Sequence, residues 1–193
     1  IALHPFVEAH PEAVFIQRTT VGGRSDAEAK ADAGRQLAQQ LFATGAGGPS
    51  PRTRFAIKPN LTCLGGEATD ERLGIVTDPD FVEGWIEGLM AGGFHGDRVY
   101  LREGNLLADA YCPSNQALDW YGPIAERTGA HLTDFDSGRD MTQRGVRRAN
   151  LEEGSEVIWR DVPDGVVFRR IGYLAPFNAD DAFNINIAKL KAH

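Results

Sequence analysis

A basic excess, repeated cysteines and long apolar runs are all missing from this chain, and each absence removes a class of function. Of its 193 residues, 20 are Lys or Arg and 27 are Asp or Glu, a formal charge of -7. An acidic chain lacks the basic surface that phosphate contacts need, so no nucleic-acid partner is expected. No apolar run approaches the roughly 18 residues required for a membrane helix, so no membrane span is expected either. There are two cysteines, Cys63 and Cys112, and no C-x-x-C spacing. That excludes an internal iron-sulfur cluster of the ferredoxin type, a Cys-rich zinc site and a c-type haem attachment. Glycine is plentiful, yet the pairs beginning at Gly22, Gly47, Gly65 and Gly92 lack the G-x-G-x-x-G spacing of a dinucleotide loop. Neither G-x-S-x-G nor H-E-x-x-H occurs.

What is present is an alternation of strand and helix patterns. "AVFIQRT" (13–19) reads as a first strand between Pro11 and the Gly22-Gly23 pair. Ser25 followed by Glu28 reads as a capping box opening a helix whose core stripe is Ala29, Ala33, Leu37, Leu41 and Phe42. "RFAIKPN" (54–60) is a second strand. "TDPDFVEGWIEGLMAGG" (77–93) is a helix, with Asp78 at the N-cap, Pro79 at the first helical position and Gly92-Gly93 as the stop. A third strand (97–105), a helix from Ser114 to about Gly129 containing Pro123, and a fourth strand (131–136) follow. "EVIWRDV" and "VVFRRI" flank Pro163-Asp164-Gly165 and predict a hairpin. "AFNINIAKL" predicts a last strand. These readings give an α/β fold, a single domain over 1–193, with a mostly parallel, Rossmann-like sheet flanked by helices and an antiparallel hairpin in the C-terminal part.

In an open parallel sheet, ligands bind beyond the carboxyl ends of the strands. Each predicted strand turns polar there: Lys58 and Asn60 on the second; Arg102, Glu103 and Asn105 on the third; Asp134 and Asp136 on the fourth; Lys189, Lys191 and His193 on the last. The last three share parity with Ile185 and Ile187, so one face of that strand passes from core into a polar mouth. Lys58, Asn60, Lys189 and Lys191 are therefore the candidate ligand-binding residues, suited to an anionic small molecule. Glu103 and His193 are the candidate catalytic groups, able to handle protons. Alternatively Glu103, Asp134 and His193 gather a divalent metal. Asp78 is expected to be a helix cap rather than a metal ligand. Cys63 and Cys112 sit in loops at one end of the sheet, either bonded or as two free thiols.

The ordered set "IKPN", "TDPDFVEGWIEGLMAGG", "VYLREGN" and "INIAKLKAH" resembles the prokaryotic family called domain of unknown function 362, over 54–193. Its polar positions fall on Lys58, Asn60, Thr77, Asp78, Glu103, Lys189, Lys191 and His193. The resemblance implies an exported, periplasmic protein with a twin-arginine leader, in a family some of whose members carry redox domains. It also implies a domain continuing past the Lys-x-Lys-x-His motif. Two functions stay open at this point. One is an enzyme that binds an anion, metal or other cofactor at the strand ends. The other is a non-catalytic subunit of an extracytoplasmic assembly or filament, with further protein subunits or copies of itself as partners.

Overall fold

Apolar strands alternating with amphipathic helices bury most surface when the strands line up in parallel and the helices cover a face. The computed structural model describes residues 2–43, 54–61, 76–103, 116–134, 139–140, 157–177 and 179–189 of this chain. In chain order its elements are β1 (Ala2–Leu3), α1 (Pro5–Ala9), α2 (Ala27–Leu41), β2 (Phe42–Ala43), β3 (Arg54–Pro59), α3 (Pro79–Ala91), β4 (Val99–Glu103), α4 (Gln116–Thr128), β5 (His131–Asp134), β6 (Arg139–Asp140), β7 (Val157–Asp161), β8 (Arg170–Leu174) and β9 (Ala182–Ile187). The main sheet has the order β6-β5-β4-β3-β9. β5, β4, β3 and β9 are mutually parallel, and β6 is antiparallel to β5. β7 and β8 form the expected antiparallel hairpin, although its second strand begins at Arg170, four residues later than the sequence reading, with Val166, Val167 and Phe168 exposed in the connection, and β1 pairs with β2. The α/β, Rossmann-like fold is thus as the sequence predicts.

One predicted element is absent. Residues 13–19 form no strand; Val14 is 85% and Ile16 92% exposed. Strand propensity expresses fitness for a pleated, half-buried surface, and no sheet edge receives this segment among the described residues. The start of α2 is also displaced by one residue. Asp26, not Ser25, is the N-cap, accepting from the Ala29 N–H at 3.3 Å. The buried face of α2 is Lys30, Ala33, Gly34 and Ala38, rotated from the stripe the leucines predict.

That rotation follows from how closely α2 meets α3. A Cβ at Gly84 would fall 1.9 Å from the Ala31 carbonyl oxygen, and one at Gly34 would fall 2.1 Å from that of Phe81. Glycine at both places lets the two backbones touch, with side chains excluded from the contact. The helices run side by side in the same direction, so both N-termini lie at the carboxyl end of the sheet. Beneath them sits an aromatic core. Phe55 and Phe183, register partners on β3 and β9, stack at 5.2 Å, and Phe42, Trp85 and Phe94 meet Phe55 edge-on. Trp85, Phe55, Ile57, Ile86, Leu101 and Leu132 are fully buried there.

Candidate functional site

α3 begins where the sequence places it: Asp78 caps it through Oδ1, accepting from the Asp80 N–H at 3.1 Å, with Pro79 at the first position. The other carboxylate oxygen of Asp78 faces two lysines. Lys30 Nζ, reaching across from α2, donates to Oδ2 at 3.0 Å; Lys189 Nζ, two residues beyond β9, lies 3.6 Å from the same atom. Lys30 also donates to the Arg24 carbonyl and to Asp80, each at 2.7 Å. Burial alone would lower the pKa of Lys30, but its bonds to Asp80 and Asp78 outweigh that, and the pKa is raised. Lys189 goes the other way. Burial, opposed by Asp78 and reinforced by the positive charges of Lys30 and Arg24, holds it below the ordinary lysine value.

Thr77 ties this carboxylate to the strand ends. Its hydroxyl donates to the Ile187 carbonyl at 2.7 Å and accepts from the Asn60 N–H at 2.9 Å; its own N–H donates to the Asn60 carbonyl at 3.0 Å. The buried Tyr121 on α4 donates to the Thr77 carbonyl at 2.9 Å. Burial, with the nearby charges of Asp78, Glu103 and Asp80, pushes the phenol well above its usual pKa, so it remains a donor. The ends of β3 and β9 and the start of α3 are thereby fixed to one another.

A second polar cluster lies across β3. Glu103, at the end of β4 and 8% exposed, accepts from Lys58 Nζ at 2.8 Å and from the Leu61 N–H at 2.9 Å. Arg102 beside it is buried and donates to the Ala175 carbonyl at 3.0 Å.

The two clusters differ in the space they face. A cavity of about 530 Å³ opens beside the first, walled in part by Gly22, Gly23, Arg24, Lys30, Asp78 and Lys189. Lys58, Asn60 and Glu103 are not among its lining residues. The single rim expected from the sequence is therefore two adjoining clusters. One joins Lys58 to Glu103. The other joins Lys189 to Asp78. Asn60 takes part through its backbone, between them. Lys191, His193, Asp136, Asn105, Cys63 and Cys112 lie outside the described residues, so the catalytic assignment of His193 and the metal trio that includes it are not addressed by this geometry. Among the described residues, no group of three or more His, Cys, Asp or Glu side chains is placed to hold a metal ion.

Lys30 and Arg24 are the site residues that sequence reasoning missed. Lys30 sits among alanines on a helix face that reads as ordinary packing. One compositional signal could have drawn attention to it. The chain has four lysines, Lys30, Lys58, Lys189 and Lys191, against sixteen arginines. Of the three described lysines, Lys58 is near the carboxyl end of β3, Lys189 follows β9, and Lys30 reaches the same region from α2. A comparison of this chain with models of known families, with curated proteins and with solved structures finds no match in any of the three.

Proposed function

We propose that this chain binds an anionic small molecule in the cavity beside Asp78. One observation carries the reading: Arg24, Lys30 and Lys189 line a small-molecule-sized space in which Asp78 is the single lining carboxylate among the described residues. Lys30 and Lys189 together balance the charges of Asp78 and Asp80, and Arg24 adds one further positive charge to the cavity wall, which favours an anion. Both helix N-termini point their positive ends toward the same region, which favours anions further. Glu103 would serve as a proton-handling group only from the neighbouring cluster, where Lys58 and the Leu61 N–H already hold it. The likeness to domain of unknown function 362 supports placing the protein outside the cytoplasm. Among the described residues, no helix is long and apolar enough to cross a membrane.

Calorimetric titration with inorganic phosphate and with small mono- and dicarboxylates tests the reading. Binding should weaken as salt rises. Lys189→Met and Arg24→Met should each weaken it about tenfold or more, the loss of one charge-assisted contact. Wild-type affinity in both variants would refute it.

A second reading, a non-catalytic subunit of an assembly, is favoured by exposed apolar side chains at two places. Val14 and Ile16 stand out on one, and Val166 (99% exposed) and Phe168 on the β7–β8 connection. Sedimentation of the chain with Val166 and Phe168 both changed to Ser would show whether this surface drives association.

A further inference from the structure

The cavity beside Asp78 is lined by more than charge. Val21, Phe81 and Ile187 line it and are only half-buried, and Ala33 and Ala188 add further apolar surface. Two of its polar lining residues are already spent inside the protein. The Thr77 hydroxyl donates to the Ile187 carbonyl and accepts from the Asn60 N–H. The three donors of Lys30 meet Asp78, Asp80 and the Arg24 carbonyl. A hydroxyl-rich ligand therefore finds few partners there and gives up those it has in water. An apolar body gains instead, because it covers Val21, Phe81 and Ile187 and releases the water against them. Charge sets the other requirement. Three cations, Arg24, Lys30 and Lys189, stand against the two carboxylates of Asp78 and the adjoining Asp80, which leaves one positive charge in excess. The volume of about 530 Å³ is also more than a bare phosphate or acetate fills, and it lies in the range of sites for larger small molecules.

We propose that the cavity takes an amphipathic monoanion, a carboxylate carried on an aliphatic or aromatic body without hydroxyls. This rests on the anion-binding reading and names the class of ligand. The body lies against Val21, Phe81 and Ile187 and buries their remaining exposed surface. The carboxylate balances the single excess positive charge of the wall; it is attracted by that net charge and not by any one vacant donor. Binding is reversible and makes no covalent bond.

The test is calorimetric titration of the full chain with acetate, butanoate, hexanoate and octanoate, and with gluconate and octanol as controls. Affinity should rise about two- to fourfold with each added methylene, the increment for burying one. Gluconate, which carries hydroxyls along its chain, should bind no better than acetate, and octanol, which has no charge, about tenfold or more weaker than octanoate. Phe81→Ser should lower octanoate affinity about fivefold or more; should that variant misfold, Val21→Ser, on the turn before α2, is the second to be read, and the wild-type series decides in either case. Four results overturn the proposal. Affinity for phosphate or acetate that stays level along the series removes the apolar body and leaves the anion site standing. Gluconate binding as tightly as octanoate does the same. Octanoate taken up at several sites for each chain means adsorption to exposed apolar surface. Octanol binding as well as octanoate, or no binding by any of these compounds, removes the anion reading together with this one.

Discussion

At the start of the β3–β9 ladder Arg54 donates through Nε to both carboxylate oxygens of Asp181, at 3.0 and 3.1 Å, and through its backbone N–H to the Asp181 carbonyl at 3.0 Å. At the finish of the same ladder, Lys30 and Lys189 converge on Asp78. The first end is a matched pair. A planar guanidinium spans both oxygens, the charges cancel, and each partner's pKa moves toward keeping its charge: Arg54 is raised and Asp181 lowered, chiefly by their mutual hydrogen bond. The second end is mismatched. Two ammonium groups approach one oxygen, and burial holds the pKa of Lys189 below the ordinary lysine value. The contrast separates a join that closes the fold from a charge arrangement that the fold has to support.

Four perturbations would break or sharpen that contrast. The largest effect is expected from Asp78→Ala, which removes the α3 cap and strips the buried Lys30 of one carboxylate; chemical denaturation should show a loss of about 3 kcal/mol. Gly84→Ala comes next. Its methyl must displace the Ala31 carbonyl, so α2 and α3 are forced apart and Lys30 is drawn away from Asp78, at a cost of about 2 kcal/mol. The site end should fail first, which amide exchange would register as lost protection at Thr77 and Asn60 before β3 itself.

Lys189→Met should do the reverse. A lysine with a lowered folded pKa destabilises the fold when protonated. That penalty is present below the folded pKa and relieved as pH rises toward 10.5. The methionine variant should therefore be as stable as the wild type or about 1 kcal/mol more so at neutral pH, with the gain vanishing in alkali. A marked loss of stability would instead make Lys189 a structural residue.

The smallest effect belongs to Asp181→Asn. The pair is partly exposed, so about 0.5 kcal/mol is at stake. Because the folded pKa of Asp181 is depressed, its contribution is full above the ordinary carboxylate value and is lost as pH falls through the lowered one. Wild type and variant should accordingly converge in acid denaturation profiles.

Much of this frame was legible in the chain. "TDPD" names its own cap and first helical proline, and Pro163-Asp164-Gly165 marks the hairpin, because caps and turns are decided by a few local residues. The strand ends at Lys58, Glu103 and Lys189 were also legible, since a run that turns from apolar to polar marks where a buried strand surfaces. The role of Lys30 was not. Nothing local distinguishes it from a lysine at the edge of a helix face, and its burial depends on glycines in another helix fifty residues away. The segment at 13–19 misled for a related reason: its side chains suit a sheet, but pairing requires an available edge. The split of the site into two clusters was invisible as well, because strand parity says which residues share a face and not which carboxylate a flexible amine will choose.

The confinement of lysine has a practical consequence. Apart from the amino terminus, any coupling reagent that attacks primary amines has only four handles on this molecule, and the three described ones crowd one margin of the sheet. Tethering the protein to a surface by such chemistry would seize it along that margin, where Lys30 and Lys189 line the cavity, and attachment there would obstruct access to it.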